Sequence, residues 1–131
     1  MENKFASSPA AIASQQQRFR EGIALFNRGE FFECHEVLEA VWLEASGDDR
    51  LFLQGLIQVA VAFHHLRRGN FAGSHRLLRA GVDKLSRFTA ESSPINTAEV
   101  LQILAPLPDQ IEAGQLPQDF PAPELRWTTA P

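Results

Sequence analysis

Residues 28–40 read RGEFFECHEVLEA and residues 68–80 read RGNFAGSHRLLRA, agreeing at Arg, Gly, Phe, His, Leu and Ala with a constant offset of 40. A repeat of this length is one supersecondary unit written twice, and each copy must bury the same face. An Arg-Gly turn followed by an amphipathic run marks the junction of a helical hairpin, because glycine takes the left-handed conformation that ends one helix before the next begins. The offset therefore predicts two hairpins, helix A with helix B and helix C with helix D. Two repeats are too few for a long solenoid, so the expected architecture is an all-α compact bundle, with TPR-like stacking as the related arrangement.

Periodicity fills in the elements. Phe19, Ile23 and Phe26 recur at helical spacing from about Ser14 and stop at Gly29, with Ser8 and Pro9 available as an earlier cap and first turn. Helix B runs from about Phe31 to Ala45 and stops at Gly47, after which Asp48 or Asp49 caps helix C. Helix C, about Arg50 to Arg68, is apolar around nearly its whole circumference, which places it at the centre of the bundle. Gly69 suits the stop and Asn70 the next cap, and helix D extends from about Phe71 to Phe88. A shorter fifth helix opens with Asn96 and Glu99 at the positions of a capping box, and Pro106 and Pro108 end or kink it. The Pro-rich tail QLPQDFPAPELRWTTAP reads as an extended strap, laid on the bundle through Phe120 and Trp127, or else as a disordered segment. Residues 1–131 thus read as a single helical domain, its core about 14–113 and its ends, 1–13 and 114–131, flexible or strap-like.

Composition narrows the function classes. A formal net charge of −4 and a pI of about 5.5 leave no positive field to gather phosphates, so nucleic acid is not an expected partner. Arg67, Arg68, Arg76 and Arg79 read as a solvated helix face rather than an anion patch. The strongest apolar run, LFLQGLIQVAVAF, is too short and too polar to span a bilayer, so no membrane is expected either. One cysteine, Cys34, cannot form an internal bridge, and no signal segment opens the chain, which together point to the cytoplasm.

The polar residues on helices B and C are the candidates for chemistry. Steps of about 100° place His35, Leu38, Glu39 and Trp42 on one quadrant of helix B, at the edge of the core, while Glu36 points to solvent. On helix C, Gln54, Gln58 and His65 share a face with Gly55 and Ala62, whereas His64 lies beside Leu53, Ile57 and Ala60. Buried amides need partners, and the His35–Glu39 edge is the surface they would face. A histidine and a carboxylate with a further histidine from helix C would make a three-ligand site for zinc, manganese or iron, with Glu36, Gln54 and Gln58 in support. The same groups also fit a polar network that fixes helix register. Trp42 would then anchor B to C with its indole N–H bonded to a backbone oxygen, or roof a pocket. Cys34 diverges from His35 by one helical step, so the two make a poor nucleophilic dyad and Cys34 reads as a core residue.

The segments LFNRGEFFECHEVLEAVW and LQGLIQVAVAFHHLRRGN resemble the DUF309 family, small helical proteins of prokaryotes marked by H-x-x-x-E-x-x-W, which falls here on His35, Glu39 and Trp42. The resemblance spans about residues 19–88. It implies an all-helical bundle whose motif has been suggested to bind metal, with the helix-C histidine at His64 where the helical wheel prefers His65. It implies no reaction.

Two functions remain open on the sequence. One is a metal-binding protein, with hydrolysis as the reaction class if it is an enzyme, since a bound divalent metal generates the nucleophile. The other is an interaction module for a protein partner or a second copy of the chain, motivated by Phe31, Phe32 and Phe71 on outer faces, with the motif structural.

Overall fold

The computed structural model describes residues 9–89, 91–116 and 122–128. The described residues form α1 (Pro9–Asn27), α2 (Phe31–Glu44), α3 (Gly47–Arg67), α4 (Phe71–Leu85), α5 (Thr97–Leu104) and α6 (Leu107–Glu112). The fold is all-helical, and α1 to α4 are helices A to D.

The two Arg-Gly turns have the same construction. Gly29 and Gly69 stand at φ 79° and 77°, a region that costs a side-chain-bearing residue about 1 kcal/mol or more. At the first turn Gly29 N–H donates to Phe26 O and Glu30 N–H to Leu25 O, both at 2.9 Å. Forty residues on, Gly69 N–H donates to Leu66 O at 3.1 Å and Asn70 N–H to His65 O at 2.9 Å. These nested bonds satisfy the last carbonyls of α1 and α3 and reverse the chain. Asn70 then caps α4, its side chain accepting from Gly73 N–H at 3.2 Å.

Burial repeats with the same offset. Cys34 and Leu38 on α2 are fully buried, as are Ser74 and Leu78 on α4, and His35 and His75 are both half-buried. Each helix packs on the next in the chain. Phe26 against Phe31 at the turn, and Gln15 bonded to Glu44 at the far end, make α1 and α2 antiparallel. For α2 and α3 the ends are marked by Phe31 on Phe63 and by Arg50 on Trp42. Between α3 and α4 a glycine faces backbone directly. A methyl group built on Gly81 would stand 2.7 Å from Val59 Cγ2 and 2.9 Å from the Gly55 carbonyl oxygen.

Several expectations are corrected. The first helix begins at Pro9, the earlier of the two starts the sequence offers, and not at Ser14. Gly47 opens α3 instead of stopping α2. Ser46 is the residue before it, Asp48 and Asp49 sit in its first turn, and no side chain caps it. Helix α3 is not surrounded by core: Gln54, Ile57, Gln58, Val61, His64 and His65 form a half-buried flank. Helix α4 ends at Leu85. Pro106 and Pro108 do not simply end α5, because α6 starts between them with Pro108 in its first turn. The capping box is half formed. Asn96 Oδ1 accepts from Glu99 N–H at 3.2 Å, but Asn96 N–H donates to Arg126 O at 2.8 Å instead of to Glu99. Phe31 is buried rather than outward.

The strap is anchored at its described end. Both polar atoms of the Asn27 amide grip Leu125, at 3.0 and 2.8 Å, and Leu125 is buried. Ile95 and Trp127 form an antiparallel bridge, with Thr128 N–H on Pro94 O at 2.9 Å. Phe120 lies outside the described residues. Among the described residues no helix is long and apolar enough to cross a membrane.

Candidate functional site

The motif on α2 builds outward from Cys34 and Leu38, whose burial against the neighbouring helices fixes the rotation of α2. That rotation leaves His35 and Trp42 half-buried and Glu39 exposed. His35 Nε2 stands 3.6 Å from Glu39 Oε2, with side-chain exposures of 24% and 55%. A pair open to water on one side contributes at most about 1 kcal/mol. The other imidazole nitrogen, Nδ1, is buried with no hydrogen-bond partner.

From His35 a row of rings crosses to α3. The His35 and Phe32 rings are 5.5 Å apart by centroid, and Phe32 is 5.3 Å from His64. His64 is 5.9 Å from His65, and His65 Nδ1 meets Asn70 Nδ2 at 3.3 Å. Of the two α3 histidines, therefore, His64 is the one in ring contact with α2, and His65 turns to the α3–α4 junction. Phe32, within this row, is 47% exposed, and Phe71 at the start of α4 is 49% exposed.

Trp42 occupies the other end of the α2–α3 contact. The guanidinium carbon of Arg50 lies 3.8 Å from the ring centroid, so a cation from the first turns of α3 closes on the indole of α2. The expected indole N–H bond to backbone is not made: Trp42 Nε1 is buried with no partner. Gln54 and Gln58 are half-buried on α3, and Gln58 Oε1 is likewise buried without a partner. No hydrogen bond joins Gln58 to His35 or Glu39. Glu36 is exposed.

The second hairpin uses the equivalent flank differently. Arg79, at the position matching Glu39, bonds Asp109 Oδ1 at 2.8 Å and Glu112 Oε1 at 2.9 Å. The hydrogen bond to Asp109 holds its guanidinium further into the charged form. Arg79 thus ties α4 to α6. Arg67 is also engaged, donating to Gly29 O at 2.6 Å and lying over the Phe31 ring. Cys34 is a core group: burial pushes its thiol up to about 12, against a smaller opposing effect of a hydrogen bond with the Phe26 backbone. That removes the thiolate needed of a nucleophile.

Sequence reasoning missed a groove of about 520 Å³ away from the motif, between α1, the α2–α3 corner and the strap. A second hollow of about 460 Å³ lies at the α1–α2 turn beside Arg67 and Glu124. Neither is lined by the histidines or glutamines singled out above. Phe19 was legible as helical and Trp127 as a strap contact, but nothing local in sequence brings them to one place.

Fold and flank together define a repeated-hairpin helical protein with a His-Glu-Trp motif at the junction of its two units. The family model of DUF309, a domain of unknown function, matches residues 19–77. The chain is 35% identical over 86 residues to the uncharacterized protein YpuF of Bacillus subtilis (strain 168), covering 63% of this chain and 49% of YpuF. It is 25% identical over 108 residues to an uncharacterized protein of Aquifex aeolicus (strain VF5), covering 82% of this chain and 32% of that protein. The chain spans about half the length of the first relative and about a third of the second, so it represents only part of each.

Proposed function

We propose that the chain is a protein-interaction module whose contact surface is the ring row at the junction of α2 and α3. One observation carries this reading: His35, Phe32, His64 and His65 form a continuous line of rings from α2 to α3, and Phe32 within it is half exposed. Interfaces concentrate their energy in such aromatic anchors, and half-exposed rings held by neighbouring rings lose little freedom on binding. The motif serves that surface. Leu38 sets the rotation of α2, Glu39 steadies His35, and Trp42 with Arg50 holds α2 on α3.

Selection from a displayed random-peptide library, with the wild-type chain and a Phe32→Ser, Phe71→Ser double variant as baits, tests the proposal. Peptides enriched on the wild type and lost on the variant are expected. Sedimentation of both proteins asks whether the same surface instead joins two copies. A wild-type chain that enriches no peptide and stays monomeric sinks the proposal.

Metal-assisted hydrolysis would draw on the same histidines with less support. His35 and Glu39 offer two donors where a catalytic zinc takes three protein ligands and a water. Among the described residues no three His, Cys, Asp or Glu side chains form a group that could hold an ion. Zinc, manganese or iron at stoichiometric level in the purified chain, lost in His35→Ala, would put that reading first.

A further inference from the structure

The groove missed by sequence is a separate feature from the ring row, and its walls come from three distant parts of the chain. Phe19 on α1 and Trp127 on the strap meet edge to face, their centroids 5.7 Å apart and planes at 74°. Phe52 of α3 forms another wall and is itself fixed by Phe88 at 5.2 Å. The strap's backbone bonds to Ile95, Asn96 and Pro94 hold Trp127 at the rim. A volume of about 520 Å³ falls in the range of small-molecule sites, and the lining combines aromatic and aliphatic side chains with glutamines, a serine and three charged groups.

The charged groups on the lining divide into two kinds. Glu44 is already engaged, accepting from Gln15 at 2.9 Å and facing Arg18 at 3.8 Å. Arg20 of α1 and Asp49 of α3 also line the groove, and neither makes an ion pair or side-chain hydrogen bond among the described residues. Among the described residues the lining thus holds a cation and an anion with no such partner, on different helices, beside Phe19, Phe52 and Trp127. A charge-assisted hydrogen bond to each would discriminate more strongly than the apolar contact alone.

We propose that this groove binds a small zwitterion with an apolar body, the class of the large apolar α-amino acids. The body lies against Phe19, Phe52 and Trp127, the ligand ammonium meets Asp49, and its carboxylate meets Arg20. Binding here does not depend on the interaction surface proposed above, which lies on other residues.

The chain has two tryptophans, so Trp42→Phe leaves Trp127 as the sole reporter. L-phenylalanine is titrated into that variant, followed by Trp127 emission, beside phenethylamine, which lacks the carboxylate, and 3-phenylpropionate, which lacks the amine. Calorimetry on the unaltered chain repeats the comparison should Trp42→Phe unfold. Saturable binding of L-phenylalanine is expected, with each analogue at least about tenfold weaker, the size of one lost charged hydrogen bond. Arg20→Gln should weaken L-phenylalanine and leave phenethylamine unchanged. Asp49→Asn should weaken L-phenylalanine and leave 3-phenylpropionate unchanged. No saturation by about 10 mM L-phenylalanine, a limit of roughly 3 kcal/mol, overturns the proposal. So do equal affinities for the three probes, or indifference to both substitutions.

Discussion

At the scale of single residues, Cys34 separates packing from chemistry. Its thiol is fully buried and pushed up to about 12 from an ordinary value of 9.0, chiefly by desolvation. The folded state therefore holds the proton across the interval in which the unfolded state releases it. Whatever Cys34 contributes to stability is complete below about pH 9 and declines as pH climbs toward 12, by up to about 1.4 kcal/mol per unit. Urea titrations between pH 8 and 10.5 should show wild type losing more stability than Cys34→Ser, and the native thiol should resist alkylating reagents. Parallel slopes for the two proteins would mean that the thiol is not shielded. Trp42 gives a complementary case. Trp42→Ala should cost about 3 kcal/mol through lost contacts between α2 and α3, whereas Arg50→Ala, which removes only the cation from the ring, should cost about 1 kcal/mol or less. Equal losses in thermal or urea unfolding would show that the guanidinium, not the indole, fastens the helices.

Among elements, the crossing of α3 and α4 is constrained by backbone itself. Gly81 allows Gly55 and Val59 to approach the α4 backbone, and an added methyl group would meet a carbonyl oxygen that cannot swing aside. Gly81→Ala should lower stability by about 1–3 kcal/mol, although alanine favours an isolated helix. Urea unfolding checks the sign: a more stable variant would mean that the two helices have room to part. The hairpins themselves were legible because their code is local. The Arg-Gly turn, the Asn70 cap and the spacing of His35 and Leu38 all act within a few residues. Helix α6 was less legible, since Pro106 and Pro108 read as breakers, and only the start of α6 between them turns Pro108 into a first-turn residue. The candidate site was legible as a flank and not as an arrangement. A helical wheel sets His65 and Gln58 on one polar face and His64 beside Leu53, Ile57 and Ala60, but which ring meets Phe32 depends on how α2 lies across α3.

For the molecule as a whole, the strap joins ends that periodicity cannot relate. Asn27, the last residue of α1, donates to and accepts from the backbone of Leu125, a contact across 98 residues. Such a contact leaves no trace in local spacing, which is why the groove beside Trp127 was hidden while the hairpins were not. It also makes the strap's attachment testable apart from the helices. Asn27→Ala leaves the Leu125 N–H and carbonyl without their partners and should cost about 1–2 kcal/mol. Released from the Asn27 amide, the strap would carry Trp127 off Phe19, so Trp127 emission in a Trp42→Phe background should shift to the red. Helical signal in circular dichroism should stay unchanged, and limited proteolysis should cut sooner within residues 122–128. If emission and cleavage match those of the unsubstituted chain, the bridge of Ile95 with Trp127 and the buried Leu125 side chain suffice to hold the strap, and Asn27 serves only to finish α1.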